Sequence, residues 1–171
     1  MTIKTLKLYA DWLIHINWIM LLYGTIQRVV FGHMQIHELQ PGLFQSSKYQ
    51  SKDFAKLEAE GIGAIIDLEG GVDDLPNFVP LGKYKYWPIH DEPILPNLND
   101  LDLVAQWGYD NWKSGLNVLV HCNAGCNRSG LVDGVILHKN GLSGKEALDL
   151  IRKKVPGGLS NIVFAEYIKS L

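Results

Sequence analysis

From Gln40 onward the apolar positions come in short runs set off by turn residues, and the period of those runs switches along the chain. Pro41-Gly42 is a turn, and Leu43-Phe44-Gln45-Ser46 behind it reads as a short strand. Ser51 is placed to cap a helix with Phe54, Ala55 and Leu57 inward, ended by Gly61. Ile62 to Leu68 is apolar on successive positions, as a strand covered on both faces must be. Lys83 to Ile89 alternates at period two and predicts another strand. Asn97 or Asn99 then opens a helix carrying Leu101, Val104, Trp107 and Trp112, locally weakened by Gly108 and closed by Gly115. The three tryptophans 87, 107 and 112 are simplest as core or cleft-wall residues. Asn117 to His121 is the central strand, and a helix starting near Ser129 carries Leu131, Val132, Val135, Ile136 and Leu137 as far as Gly141. Ser143-Gly144-Lys145-Glu146 is a capping box opening the next helix, and Ser160 is placed to cap a last one to Leu171. Strands alternating with helices predict an α/β fold. Its central, mostly parallel sheet has four to five strands flanked by helices on both faces.

The first 35 residues follow another pattern. Between Leu8 and Phe31 apolar side chains dominate, including Trp12, Leu13, Ile14, Trp18, Ile19 and Leu22, which predicts a hydrophobic helix. Its charge-free part runs from Trp12 to Gln27, short of the roughly 20 residues a bilayer span needs. Lys4 and Lys7 resemble a signal-peptide start, but no small-residue cleavage site follows. Two expectations stand: the helix packs on the domain or on a second copy, or it lies in a membrane interface. The chain thus divides into a hydrophobic segment, 1–35, and one α/β domain, 36–171.

At 171 residues and 47% hydrophobic, the chain can bury one good core and not two. A net charge of -2 gives no general pull on nucleic acid, so no nucleic-acid partner is expected and anion recognition must be local. The two cysteines, Cys122 and Cys126, fall in one short loop, which argues against a secreted disulfide framework and for a reducing, cytoplasmic setting.

That loop carries the chemistry. Between Cys122 and Arg128 stand Asn123, Ala124, Gly125, Cys126 and Asn127, small enough for the backbone to curl and turn its N–H groups onto one anion. The helix that follows adds unpaired N–H groups and its positive end. Gly125 permits positive φ, and Arg128 offers a flat fork for two phosphate oxygens. The same field favours the thiolate of Cys122, a nucleophile placed to attack phosphorus in line. Ser129 can offer its hydroxyl to that sulfur. No second ligand stands at metal spacing from His121, so neither metal nor cofactor is expected.

His121-Cys122-x5-Arg128-Ser129-Gly130, between a strand and a helix, resembles the signature of protein tyrosine phosphatases, in particular their compact dual-specificity branch. Rhodaneses and low-molecular-weight phosphatases share only the shorter Cys-x5-Arg pattern. The resemblance covers most of residues 40–171 and includes Gly42 to Ser47 and Asn161-x-x-Phe164. It implies a phosphocysteine mechanism without cofactor, a phosphorylated protein or other phosphomonoester as partner, and a supporting role for His121 in the loop.

Such a reaction also needs an acid for the leaving oxygen, worth roughly 10²–10⁴-fold. Asp91, in Ile89-x-Asp91-x-Pro93, resembles the general-acid loop of that branch, with Glu92 and Asp102 as the next candidates and His90 read as structural. Asp67 reads as a strand-end aspartate bonded to nearby N–H groups. Cys126 fits either as a space-filler or as a regulatory disulfide partner of Cys122. The absence of lysine between Cys122 and Arg128 argues against polyphosphorylated inositols. Three alternatives to phosphotyrosine hydrolysis remain: an inositol phosphate or phosphoinositide substrate, an RNA 5′-phosphate, and phosphoprotein binding without turnover.

Overall fold

The structure is a computed structural model and describes residues 34–71 and 75–171. The apolar segment 8–31, and with it the packing, self-association and membrane expectations, lies outside the described residues. Among those described, no helix is long and apolar enough to cross a membrane. Five strands, β1 (Ile36–Gln40), β2 (Leu43–Ser46), β3 (Ile62–Asp67), β4 (Tyr84–Tyr86) and β5 (Asn117–His121), form one sheet in the order β1-β2-β5-β3-β4. All neighbours are parallel except β1 and β2, which pair antiparallel. The helices are α1 (Phe54–Ala59), α2 (Leu98–Lys113), α3 (Arg128–Lys139), α4 (Gly144–Lys154) and α5 (Ile162–Lys169).

Strand alternation sorts the core into two layers. Leu43, Ala64, Ile66, Val118 and Val120 face the bundle of α2 to α5, while Phe44, Ile62, Ile65 and Leu119 face α1 with Met34, Tyr49 and Val79. Helix α3 is buried from Ser129 to Leu137, so the element that opens at the loop is also the one the others pack around. Fully burying each Leu or Ile of these layers contributes roughly 1.5–3 kcal/mol.

Several local readings need correction. Strand β1 was not expected: its polar His37 and Glu38 leave only Ile36 and Leu39 as apolar signal, which suffices for an edge. Its start is tied down by Gln35 N–H donating to Ser47 Oγ at 3.1 Å. Ahead of α1, Gln50 rather than Ser51 stands outside the first turn, its N–H donating to Asp53 Oδ2 at 2.9 Å. Leu57 is buried but Ala55 is exposed. The expected strand Lys83–Ile89 is regular only over Tyr84–Tyr86, because a 3-10 turn occupies Leu81–Lys83 and Pro88 has no N–H to give, although the N–H groups of Trp87 and Ile89 still donate to Asp67 O and Leu68 O. Gly108 is a contact rather than a weakness: a Cβ there would come within 2.8 Å of both Ile136 and Ile66 side chains. Asn161, not Ser160, caps the last helix, accepting from the N–H groups of Val163 and Phe164. The cap of α2 by Asn97 and the Ser143/Glu146 box of α4 are as read.

Candidate active site

The loop after β5 sits at the carboxyl end of the central strand, where open α/β sheets place their ligands. Its curl is fixed by what holds its carbonyls. Asn123 O accepts from Lys48 N–H (3.2 Å), Gly125 O from Gln45 Nε2 (3.0 Å), and Cys126 O from Leu159 N–H (3.2 Å). With those oxygens committed outward, the N–H groups are left to the concave side. Gly125 has φ +70°, and a Cβ there would stand 2.4 Å from Ser47 N, so conformation and closeness both demand glycine.

Cys122 forms the floor, with 1% of its surface exposed. Gly125 N–H donates to its sulfur at 3.3 Å, and Ser129 Oγ lies 3.5 Å from it at the first turn of α3. Arg128 Nη1 donates to the carbonyls of Leu68 (3.2 Å) and Ile89 (3.3 Å), and Nη2 approaches Glu69 Oε2 at 3.5 Å. Its buried Nε finds no acceptor among the described residues. The guanidinium therefore bridges the end of β3 and the Asp91 loop. Ser129, Gly130 and the whole inner face of α3 are buried, which removes water from beneath the sulfur.

Asp91 is half-buried and joins the loop through Asn127, whose Nδ2 donates to Asp91 Oδ2 at 3.0 Å. A second amide, Asn161 Nδ2, donates to Oδ1 at 3.2 Å and to Glu92 O at 2.8 Å. Of the rival acids, Glu92 is exposed, and Asp102 is ion-paired with Lys139 at 2.6 Å on the surface.

His121 lies fully buried with its ring 4.7 Å from that of Tyr49 and Nε2 3.4 Å from Asp67 Oδ1. Burial, then the charges of Lys48 and Arg128, lower its pKa to about 3. The Asp67 carboxylate pulls the other way, but it already accepts from Glu69 N–H (2.8 Å) and the Tyr84 hydroxyl, so burial prevails and the imidazole is neutral. That also gives Asp67 the strand-end role read for it. Cys126 forms no disulfide with Cys122 and is partly exposed, with its sulfur 3.8 Å from Pro156 O.

Four contributors were missed by sequence reasoning. Glu69 and Asn161 reach the site only through folding. Gln45 and Asp133 carried a signal, since each is a polar residue where the period demands an apolar one. Asp133 lies fully buried on α3, one turn after Ser129, and neither carboxyl oxygen has a hydrogen-bond partner among the described residues. Burial, and then the neighbouring Cys122, push its pKa well above the usual carboxylate range.

No family model matches the chain. Human dual specificity protein phosphatase 2 is 29% identical over 125 residues, covering 68% of this chain and 37% of that protein. Mouse serine/threonine/tyrosine-interacting protein is 28% identical over 127 residues, covering 70% and 56%. The chain thus spans between about a third and somewhat over half the length of these curated relatives. Among solved structures, human tyrosine phosphatase-like serine/threonine/tyrosine-interacting protein superposes with a TM-score of 0.68 at 23% identity, over 79% of this chain and 93% of that one. In sequence the chain is thus similar to dual-specificity phosphatases, and its fold is that of the dual-specificity phosphatase-like, Cys-x5-Arg branch of the protein tyrosine phosphatase superfamily.

Proposed function

We propose that the chain is a cysteine-dependent phosphomonoester hydrolase acting on phosphotyrosine, with phosphoserine and phosphothreonine as further protein substrates. The observation that carries the reading is the junction at Cys122: one sulfur, buried, meets the Gly125 N–H and the Ser129 hydroxyl in a loop whose Asn123, Gly125 and Cys126 carbonyls are bonded to other segments. Inward N–H groups of residues 123–127 and the Arg128 fork hold the phosphate. Cys122 Sγ attacks phosphorus, the P–O bond to the leaving group breaks, and that oxygen takes the proton of Asp91. Water then attacks the phosphocysteine, giving its proton back to Asp91 as the S–P bond breaks, and the Ser129 hydroxyl stabilises the departing thiolate. His121, neutral and fixed under the loop, supports its shape.

The test is hydrolysis of an aryl phosphate in EDTA by the full chain and by Cys122→Ser. Loss of turnover in the variant supports the reading, and equal activity sinks it. A panel of phosphotyrosyl, phosphoseryl, inositol and lipid phosphates then ranks the substrates. A second reading, phosphoprotein binding without turnover, is favoured by one observation: the mouse relative is named for interacting rather than for hydrolysis. Saturable phosphopeptide binding with no release of phosphate would select it. Membrane or self-association through residues 8–31 is a separate proposal, tested by vesicle co-sedimentation and sedimentation velocity with and without residues 1–33.

A further inference from the structure

The geometry points to Asn127 and Asn161 as a pair of positioning residues that hold the Asp91 carboxyl by both oxygens and so register the acid to the phosphate loop. The inference rests on the phosphatase reading above and names what makes its acid effective. Neither amide is free to turn. Asn127 Oδ1 accepts from Ser160 Oγ at 3.0 Å and from Asn161 N–H at 2.9 Å, so its Nδ2 must face Asp91 Oδ2, 3.0 Å away. Asn161 Oδ1 accepts from Val163 N–H (3.1 Å) and Phe164 N–H (3.4 Å) at the start of α5. That leaves its Nδ2 for Asp91 Oδ1 at 3.2 Å and Glu92 O at 2.8 Å. Flipping either amide would set N–H against N–H.

Both amides are buried, Asn161 completely, so these bonds compete little with water. Each amide uses one lone pair on one carboxyl oxygen, and the remaining lone pairs stay available for the proton that moves. Asn127 immediately precedes Arg128, so the residue that aims the acid is carried by the loop that grips the anion. The acid loop itself contributes little: Asp91 follows a three-residue strand, and its neighbours His90 and Glu92 are exposed. An acid misplaced by about 1 Å can lose on the order of 10²-fold.

The test is Asn161→Ser in the full chain, because serine keeps a cap oxygen for α5 and lacks the reach of the amide. We measure kcat/KM on phenyl phosphate, whose leaving group needs a proton, and on dinitrophenyl phosphate, whose leaving group does not. The expected result is a loss of roughly 10–100-fold on the first and about threefold or less on the second, with the inhibition constant of inorganic phosphate unchanged. An equal loss on both esters would mean a merely structural asparagine, and no loss on either would mean that Asp91 needs no clamp. Either result overturns the inference. If Asn161→Ser fails to fold by circular dichroism, Asn161→Asp keeps the cap and removes the donor, and the same split decides. If the wild type hydrolyses neither ester, the phosphatase reading has failed first, and this inference falls with it.

Discussion

Cys122 and Asp91 are held in place in opposite ways. The sulfur is set by its own neighbourhood: Gly125, Arg128 and Ser129 stand within one loop and one helical turn, and the loop is shaped mainly by backbone bonds. The carboxyl group is set by side chains from distant segments, Asn127 and Asn161, and its own loop is largely exposed. Local wiring of the first kind tolerates little substitution because every part is the site. Wiring of the second kind spreads the task over amide side chains that reach the carboxyl group from other segments of the fold. The nucleophile side should therefore fail abruptly, and the acid side by degrees that depend on the leaving group.

The largest effect falls on the nucleophile side. Cys122→Ser should lower kcat by on the order of 10⁴-fold or more on every ester, with the fold retained. Next comes Arg128→Lys, which keeps the charge but loses the fork that spans Leu68 O, Ile89 O and the bowl. A loss of roughly 10²–10³-fold, the same for good and poor leaving groups, is expected from steady-state kinetics. If that loss depended on the leaving group, Arg128 would belong to the acid side and the contrast would break down.

Asp91→Asn probes the other half. It should cost roughly 10²–10⁴-fold in kcat/KM on phenyl phosphate and far less on dinitrophenyl phosphate, and equal losses would move the acid elsewhere. The same contrast explains what the sequence disclosed. Residues 121–130 could be read as a site because strand, loop, nucleophile, cation and helix start are contiguous, and β2, β3, β5 and α3 followed from period alone. Asp91 was legible only as a position. Its partner Asn127 reads as one more small loop residue, and Asn161 reads only as part of the Asn-x-x-Phe resemblance, with the cap expected at Ser160. What a side chain reaches across the fold leaves no mark in local periodicity. Gln45 and Asp133 did leave one, as polar interruptions in apolar runs, and the pattern gave no partner for either.

The smallest effect concerns two buried groups beneath the nucleophile, for which the half-exposed acid loop has no counterpart. Asp133 has a pKa raised well above its ordinary 3.8, and His121 has one lowered from 6.5 to about 3. Above pH 3.8 the unfolded chain has released the Asp133 proton while the folded chain keeps it, so stability from this group falls as pH rises. Below pH 6.5 the unfolded chain protonates His121 while the folded chain does not, so stability from this group falls as pH drops. The two slopes have opposite sign, each at most about 1.4 kcal/mol per pH unit, and between the two unfolded pKa values they oppose one another. Replacing one partner exposes the other. In denaturant titrations, the stability of Asp133→Asn minus that of the wild type should climb as pH rises above 3.8, by at most about 1.4 kcal/mol per pH unit, whatever the constant cost of the buried amide. The same difference for His121→Gln should climb toward acid. A difference that stays flat with pH for Asp133→Asn would mean that the carboxyl gives up its proton inside the fold, placing a second negative charge beneath Cys122 and removing the electrostatic ground for treating the nucleophile side as the better insulated of the two.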